Sequence, residues 1–182
     1  MPSFLRSFFS SSPKQVQFVS GEKVIRAKTV KDVLGEAFDY KGSISAQKVF
    51  CKKMLQFCAT EYQTDNILFL LVCEKYRKTP SSALFAHIHD EFVAQGSPQQ
   101  VNLSDKNRGD LTTISKLDNP TAPSPSVFEK AELEIWKLFE RDTLSRLIKA
   151  PFDSAFNMRE PGHKRCFDES INYLKTHQIT LL

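Results

Sequence analysis

Few residues in this 182-residue chain have the types and spacings that chemistry needs. His87 and His89, in HIHDEF, stand two apart. That spacing serves ligands on one face of a strand but splays the rings on a helix, where a step of four is required. No companion ligands complete a metal site, so the histidines read as structural or solvent-facing. The six glycines are scattered, so no loop cradles a phosphate, and neither G-x-S-x-G nor a Cys–His–Asn arrangement stands out. The expectation is no catalytic residue of its own, no metal and no cofactor. What remains is a set of polar residues at element edges. Asp65 and Asn66, with Thr64, open the apolar run ILFLLVC; Asn102 sits in the loop GSPQQVNL; Asp142, Thr143 and Arg146 close a long amphipathic stretch. Helix caps, a turn former and a surface ion pair explain each one singly. An edge that binds another protein explains them together.

The elements that must position these residues are helical. Val49, Phe50, Met54, Phe57 and Cys58 form one face, and a shorter helix is expected over 30–39 with Val33, Leu34 and Phe38 on one side. The apolar run follows as a buried helix. After Pro80 comes SSALFAHIHDEFVAQ, stopped by Gly96, and Ser104 can cap a helix to about Leu117. Pro120, Pro123 and Pro125 break DNPTAPSPS. Phe128, Ala131, Ile135 and Leu138, spaced three, four and three, form the clearest stripe; steps of four carry it to Asp142 and Arg146, an acid-first pair at i, i+4. Phe152 and Phe156 follow Pro151, and Phe167, Ile171 and Leu174 mark a last helix. Only short pieces such as VQFV and KVIRA read as strands. The fold class is therefore all-α, a bundle of about eight or nine helices.

Composition agrees with one main domain. The chain is 41% hydrophobic and 25% charged, with a net charge of +4 whose Lys and Arg are spread among acids. A nucleic-acid binder leaves a concentrated basic stripe, so nucleic acid is not the expected partner. Cys51, Cys58, Cys73 and Cys166 lack C-x-x-C spacing and read as free thiols of a reducing compartment. The apolar run from Ile67 to Cys73 is far short of the ~20 residues a membrane span needs. The first segment, MPSFLRSFFSSSP, is too short in apolar residues for a secretory signal, so a cytoplasmic protein is expected.

These stretches, in this order, resemble an RGS domain, the helical module of regulators of G-protein signalling. EYQTDNILFLLVCEKY matches the family's acid-aromatic pair, acid-Asn step and CE-x-Y close. Ile88, Glu91 and Phe92 match its I-x-x-EF helix, Val101 and Asn102 its VN loop, and RDTLSR its KDS-x-x-R helix end. The resemblance covers residues 31–157 and leaves extensions over 1–30 and 158–182. It implies GTPase activation of a Gα subunit by Gln63, Asp65, Asn66, Asn102, Asp142, Thr143 and Arg146. Asn102 would reach the Gα switches near the catalytic Gln, Asp142 would accept backbone N–H groups of the first switch, and Arg146 would hold that carboxylate. Asp65 stands where Glu is usual, Gln63 and Thr143 where Ser is common, and Leu70 where Trp is frequent. A scaffold module that binds a protein without accelerating hydrolysis is the alternative.

Phe4, Leu5, Phe8 and Phe9 share one helical face. Two readings follow for residues 1–12: a peripheral membrane contact at the inner face of the plasma membrane, or packing against the last helix, which is favoured because exposed apolar patches are rare on monomers.

Overall fold

A computed structural model describes residues 18–20, 23–25, 54–117, 121–144, 146 and 158–179. The helix expected over 30–39, the apolar residues Val49, Phe50, Phe152 and Phe156, and the segment 1–12 lie outside them. Strand β1 (Phe18–Ser20) pairs antiparallel with β2 (Lys23–Ile25) in the register Phe18 to Ile25, where short strand-like pieces were expected. Everything else regular among the described residues is helical, as the all-α expectation requires. The helices are α1 (54–60), α2 (Asp65–Lys78), α3 (Ser82–Ile88), α4 (Asp105–Ser115), α5 (Glu129–Leu138) and α6 (Pro161–Thr176). Helix α3 runs on into a π-helical turn at His89–Val93, and α5 into another at Phe139–Leu144.

The chain divides into two compact units, one holding Asp65–Phe139 and the other the described residues up to Thr64 and from Glu140 onward. In the first, the middle of α2 is apolar on every side because every side is covered: Ile67 to Cys73 are all buried, and α3 and α5 pack against the helix. Phe128 is the hub of an aromatic cluster, edge-on to Tyr76 and stacked on Phe85, each at 5.3 Å, and edge-on to Phe69 at 6.3 Å. Tyr76 Oη donates to Pro123 O at 2.6 Å and so pins the proline-rich loop to this core. Ala131 and Ile135 of the predicted stripe are buried with Phe128, as their spacing requires. Ser81 and Ser104 cap α3 and α4, accepting from Leu84 N and Asn107 N, and Gly96 takes a φ of 75° after the first π turn.

A charged group lies inside this unit. Arg77 donates to Glu74 and to Glu132, and Lys78 approaches Glu74 at 3.5 Å. Both acids are buried, and Glu132 Oε1 has no hydrogen-bond partner. Burial pushes Glu132 from the ordinary 4.5 up to about 7; Arg77 opposes the rise, and Glu74 and Glu129 add to it.

Candidate functional site

Asn102 is presented by a loop whose neighbouring backbone groups are hydrogen-bonded. Val101 and Leu103 on either side are 1% and 5% exposed, while Asn102 is exposed. Val101 N–H donates to Phe92 O at 2.9 Å, and Leu103 N–H donates to Val101 O at 3.0 Å, closing a γ-turn with Asn102 at its apex. Arg108, one turn into α4, donates to Val93 O and, at 3.0 Å, to Val101 O. Glu134 of α5 holds the far side, accepting from Ser104 N at 2.7 Å, Ser104 Oγ at 3.0 Å and Asn107 Nδ2. Although burial pushes the Glu134 carboxyl upward, the bonds from Asn107 and Ser104 together hold it below its usual range. The Asn102 amide bonds to no described residue. It is a donor and acceptor pair on a rigid mount.

Asp65 and Asn66 occupy the first turn of α2, both half-buried. A carboxylate there meets free N–H groups and the positive end of the helix. Burial still raises Asp65 above its usual range, partly offset by a bond from its own backbone N–H.

The other candidates fall in the second unit. Helix α1 ends in a Schellman motif: Gln63 N–H donates to Cys58 O at 2.9 Å and Tyr62 N–H to Ala59 O at 3.2 Å, with Tyr62 at a φ of 54°. Arg146 Nε donates to Glu61 Oε2 at 2.6 Å, and its Nη2 donates to Gln63 Oε1 at 3.1 Å. This corrects the expected pairing of Arg146 with Asp142. Asp142 is instead clasped by Arg141, Nε to Oδ1 at 2.9 Å and Nη2 to Oδ2 at 3.1 Å. The reason is the π turn: its bonds skip five residues, so side chains four apart no longer stack as they do on an α-helix. Hydrogen bonding from Arg141 holds the Asp142 carboxyl below its usual range, against slight burial and with weaker help from Arg146. Thr143, expected at the surface, is 2% exposed, and Arg141 and Asp142 carry the open side of the turn. Sequence reasoning missed Glu61, Arg108, Glu134 and Arg141. Glu134 lies 27 and 30 residues from its partners, and no local pattern links them.

His89 is buried, with Nδ1 2.9 Å from Asp90 Oδ1 and Nε2 3.2 Å from Thr112 Oγ1, a structural histidine. Among the described residues no cluster of three or more His, Cys, Asp or Glu could hold a metal, and no helix is long and apolar enough to cross a membrane.

The sequence that carries this geometry matches the profile of a known family. The regulator of G protein signaling domain aligns with residues 41–156. This chain belongs to the RGS family. Similar proteins include regulator of G-protein signaling 5 of Bos taurus, 31% identical over 144 residues that cover 71% of this chain and 73% of that protein. Regulator of G-protein signaling 1 of Homo sapiens is 31% identical over 137 residues, 71% of this chain and 63% of that protein. Regulator of G-protein signaling 16 of Mus musculus is 32% identical over 131 residues, 66% of this chain and 59% of that protein. Helix α6 begins past the last residue matched by the RGS profile.

Proposed function

We propose that this RGS domain accelerates GTP hydrolysis by a heterotrimeric G-protein α subunit and thereby terminates signalling. The observation that carries the reading is Asn102: exposed, bonded to no described residue, and mounted on a γ-turn that Phe92, Arg108 and Glu134 hold still. A Gα subunit supplies its own arginine and its water-orienting Gln, so the slow step is the rare arrival of its switches in the reactive arrangement. A protein that binds the switches more tightly in the transition-state geometry than in the GTP ground state accelerates hydrolysis by that ratio. A hundredfold acceleration asks for ~2.7 kcal/mol of differential binding. Asn102 amide bonds and switch N–H groups donated to the ionised Asp142 carboxylate are of that size together, since hydrogen bonds to charged groups contribute about 1.5–3 kcal/mol. Asp65 and Asn66 add contacts at the start of α2. Arg146 fixes Glu61 and Gln63, and Thr143 packs beneath the π turn. The same reading places the chain in the cytoplasm, at the inner face of the plasma membrane.

The test is affinity for a panel of Gα subunits, each loaded with GDP alone or with GDP plus a transition-state mimic. At least one subunit should bind about tenfold tighter or more in the mimic state, because the mimic presents the switch arrangement that an accelerating partner favours and GDP alone does not. Equal affinity for both states across the panel would sink the proposal.

One observation favours the second reading, a scaffold module without activation: Gln63 is tied to Arg146 and Thr143 is enclosed, so two of the expected contacts are occupied inside the chain. Single-turnover hydrolysis separates the readings. It also checks Arg146→Ala. Because Arg146 is exposed and Asp142 keeps Arg141, this variant should lose no more than ~1 kcal/mol of stability. Its acceleration should nevertheless fall about tenfold as Glu61 and Gln63 lose their anchor. A large drop in melting temperature would make Arg146 a structural residue.

A further inference from the structure

The turn that carries Glu61 and Gln63 is built on an unfavourable residue. A Schellman motif wants glycine at its left-handed position, and here a tyrosine with a φ of 54° occupies it. The chain has a second motif of this kind to compare. At the end of α6, Gln178 takes a φ of 50°, Ile179 N–H donates to Leu174 O at 2.8 Å, and Ile179 and Leu174 are 6% and 1% exposed, the apolar contact that usually clamps such a turn. At Tyr62 that clamp is missing, because the following residue is the exposed Gln63. Something else holds the tyrosine there.

Helix α6 is in position to do so. The Tyr62 ring meets the His163 ring edge-on at a centroid distance of 5.3 Å, and its Oη lies 3.4 Å from Glu160 Oε1. Between these two residues Gly162 leaves a notch. A Cβ there would fall 2.3 Å from Tyr62 Oη and 3.3 Å from Cζ, so the outer end of this half-exposed side chain would have to leave its place against α6. One turn further along α6, Cys166 Sγ lies 3.9 Å from the hydroxyl of the buried Thr64. The turn thus alternates. Tyr62 and Thr64 meet α6, while Glu61 and Gln63 meet Arg146.

We propose that helix α6, which lies beyond the RGS match, is a brace that holds Tyr62 in its left-handed conformation and so sets Glu61 and Gln63 on Arg146. Gly162 is its seat, and Tyr62 and Gly162 are positioning residues. The consequence for Gα binding rests on the function proposed above.

The full chain tests this without a partner. Amide hydrogen exchange at Tyr62 and Gln63 reports whether their bonds to Ala59 and Cys58 stay closed. Gly162→Ala should raise exchange at both by about fivefold or more and leave the amides of α2 unchanged, since Ala is the better helix former and the collision it makes is with Tyr62 alone. In a Tyr62→Gly background, where the turn needs no brace, the same substitution should change nothing. Unchanged exchange, a rise spread over the whole chain, or an equal rise in both backgrounds would overturn the brace.

A second arm measures affinity for Gα carrying GDP and the transition-state mimic. Gly162→Ala should weaken it about tenfold, and Tyr62→Gly with Gly162→Ala should match Tyr62→Gly alone. Full affinity despite raised exchange would overturn the brace's role in partner binding. If the unsubstituted chain binds no Gα, the proposed function fails, and the exchange data alone decide the brace.

Discussion

Replacing Asn102 with Ala should cut the acceleration of GTP hydrolysis by roughly ten- to a hundredfold and leave the melting temperature nearly unchanged, a loss that follows from removing two neutral amide hydrogen bonds of about 0.5–1.5 kcal/mol each from the transition-state complex. Stability is spared because the side chain is exposed at the apex of the γ-turn and bonds to no described residue. The turn is held by the backbone of Val101 and Leu103 and by their burial, neither of which needs the amide. Arg108→Ala is the contrasting case. It leaves Asn102 in place but releases Val93 O and Val101 O from their guanidinium, with a stability cost of ~1–3 kcal/mol. It should lower acceleration in part, by loosening the mount. Single-turnover hydrolysis beside a thermal melt checks the pair. If Asn102→Ala retains full acceleration, Asn102 is a turn former and nothing more. If it melts with Arg108→Ala, it is a structural residue.

The sequence makes the mount of Asn102 half legible. Val101 and Leu103 alternate around it as buried residues must, Gly96 marks the break after α3, and Ser104 announces the cap of α4. These are local signals, read over a few residues. Arg108 and Glu134 close the mount through tertiary contacts, and nothing in their neighbourhoods sets them apart from other surface charges. The same limit applies to Arg146. The stripe through Phe128, Ala131 and Ile135 has a strict helical period, and extending it by steps of four assigns Asp142 to Arg146. The π turn at Phe139–Leu144 breaks that period inside the stretch, so the assignment fails while the buried stripe before it holds. Tyr62 shows a further kind of illegibility. Sequence alone favours Gly or Asn for a left-handed residue, and its tolerance here depends on a helix 98 residues away along the chain.

Glu132→Gln should stabilise the chain at alkaline pH and flatten its stability profile. In the folded chain the Glu132 carboxyl is raised from 4.5 to about 7, so the folded state binds a proton that the unfolded state has released. A raised acid favours folding in its protonated form: the contribution is fully present below 4.5 and is lost as pH rises through the window from 4.5 to about 7. At ~1.4 kcal/mol per pKa unit the whole loss is about 3 kcal/mol, an upper figure for a group this close to Arg77. Three features point the same way. Arg77 serves Glu74 as well, Lys78 lies 3.5 Å from Glu74, and Glu129 and Glu74 both repel a charge on Glu132. Removing the Glu132 charge therefore leaves Arg77 with a partner instead of stranding it. The Gln carbonyl can still accept from Arg77, and the position of the unpartnered Oε1 then carries no share of a net charge, which is the costlier kind of buried orphan. Urea unfolding from pH 5 to pH 8.5 should show the variant more stable by ~1–3 kcal/mol at pH 8 and the two chains converging near pH 5. A variant less stable than the parent at pH 8 would show that Glu132 stays ionised and that its pairing with Arg77 outweighs the cost of burial.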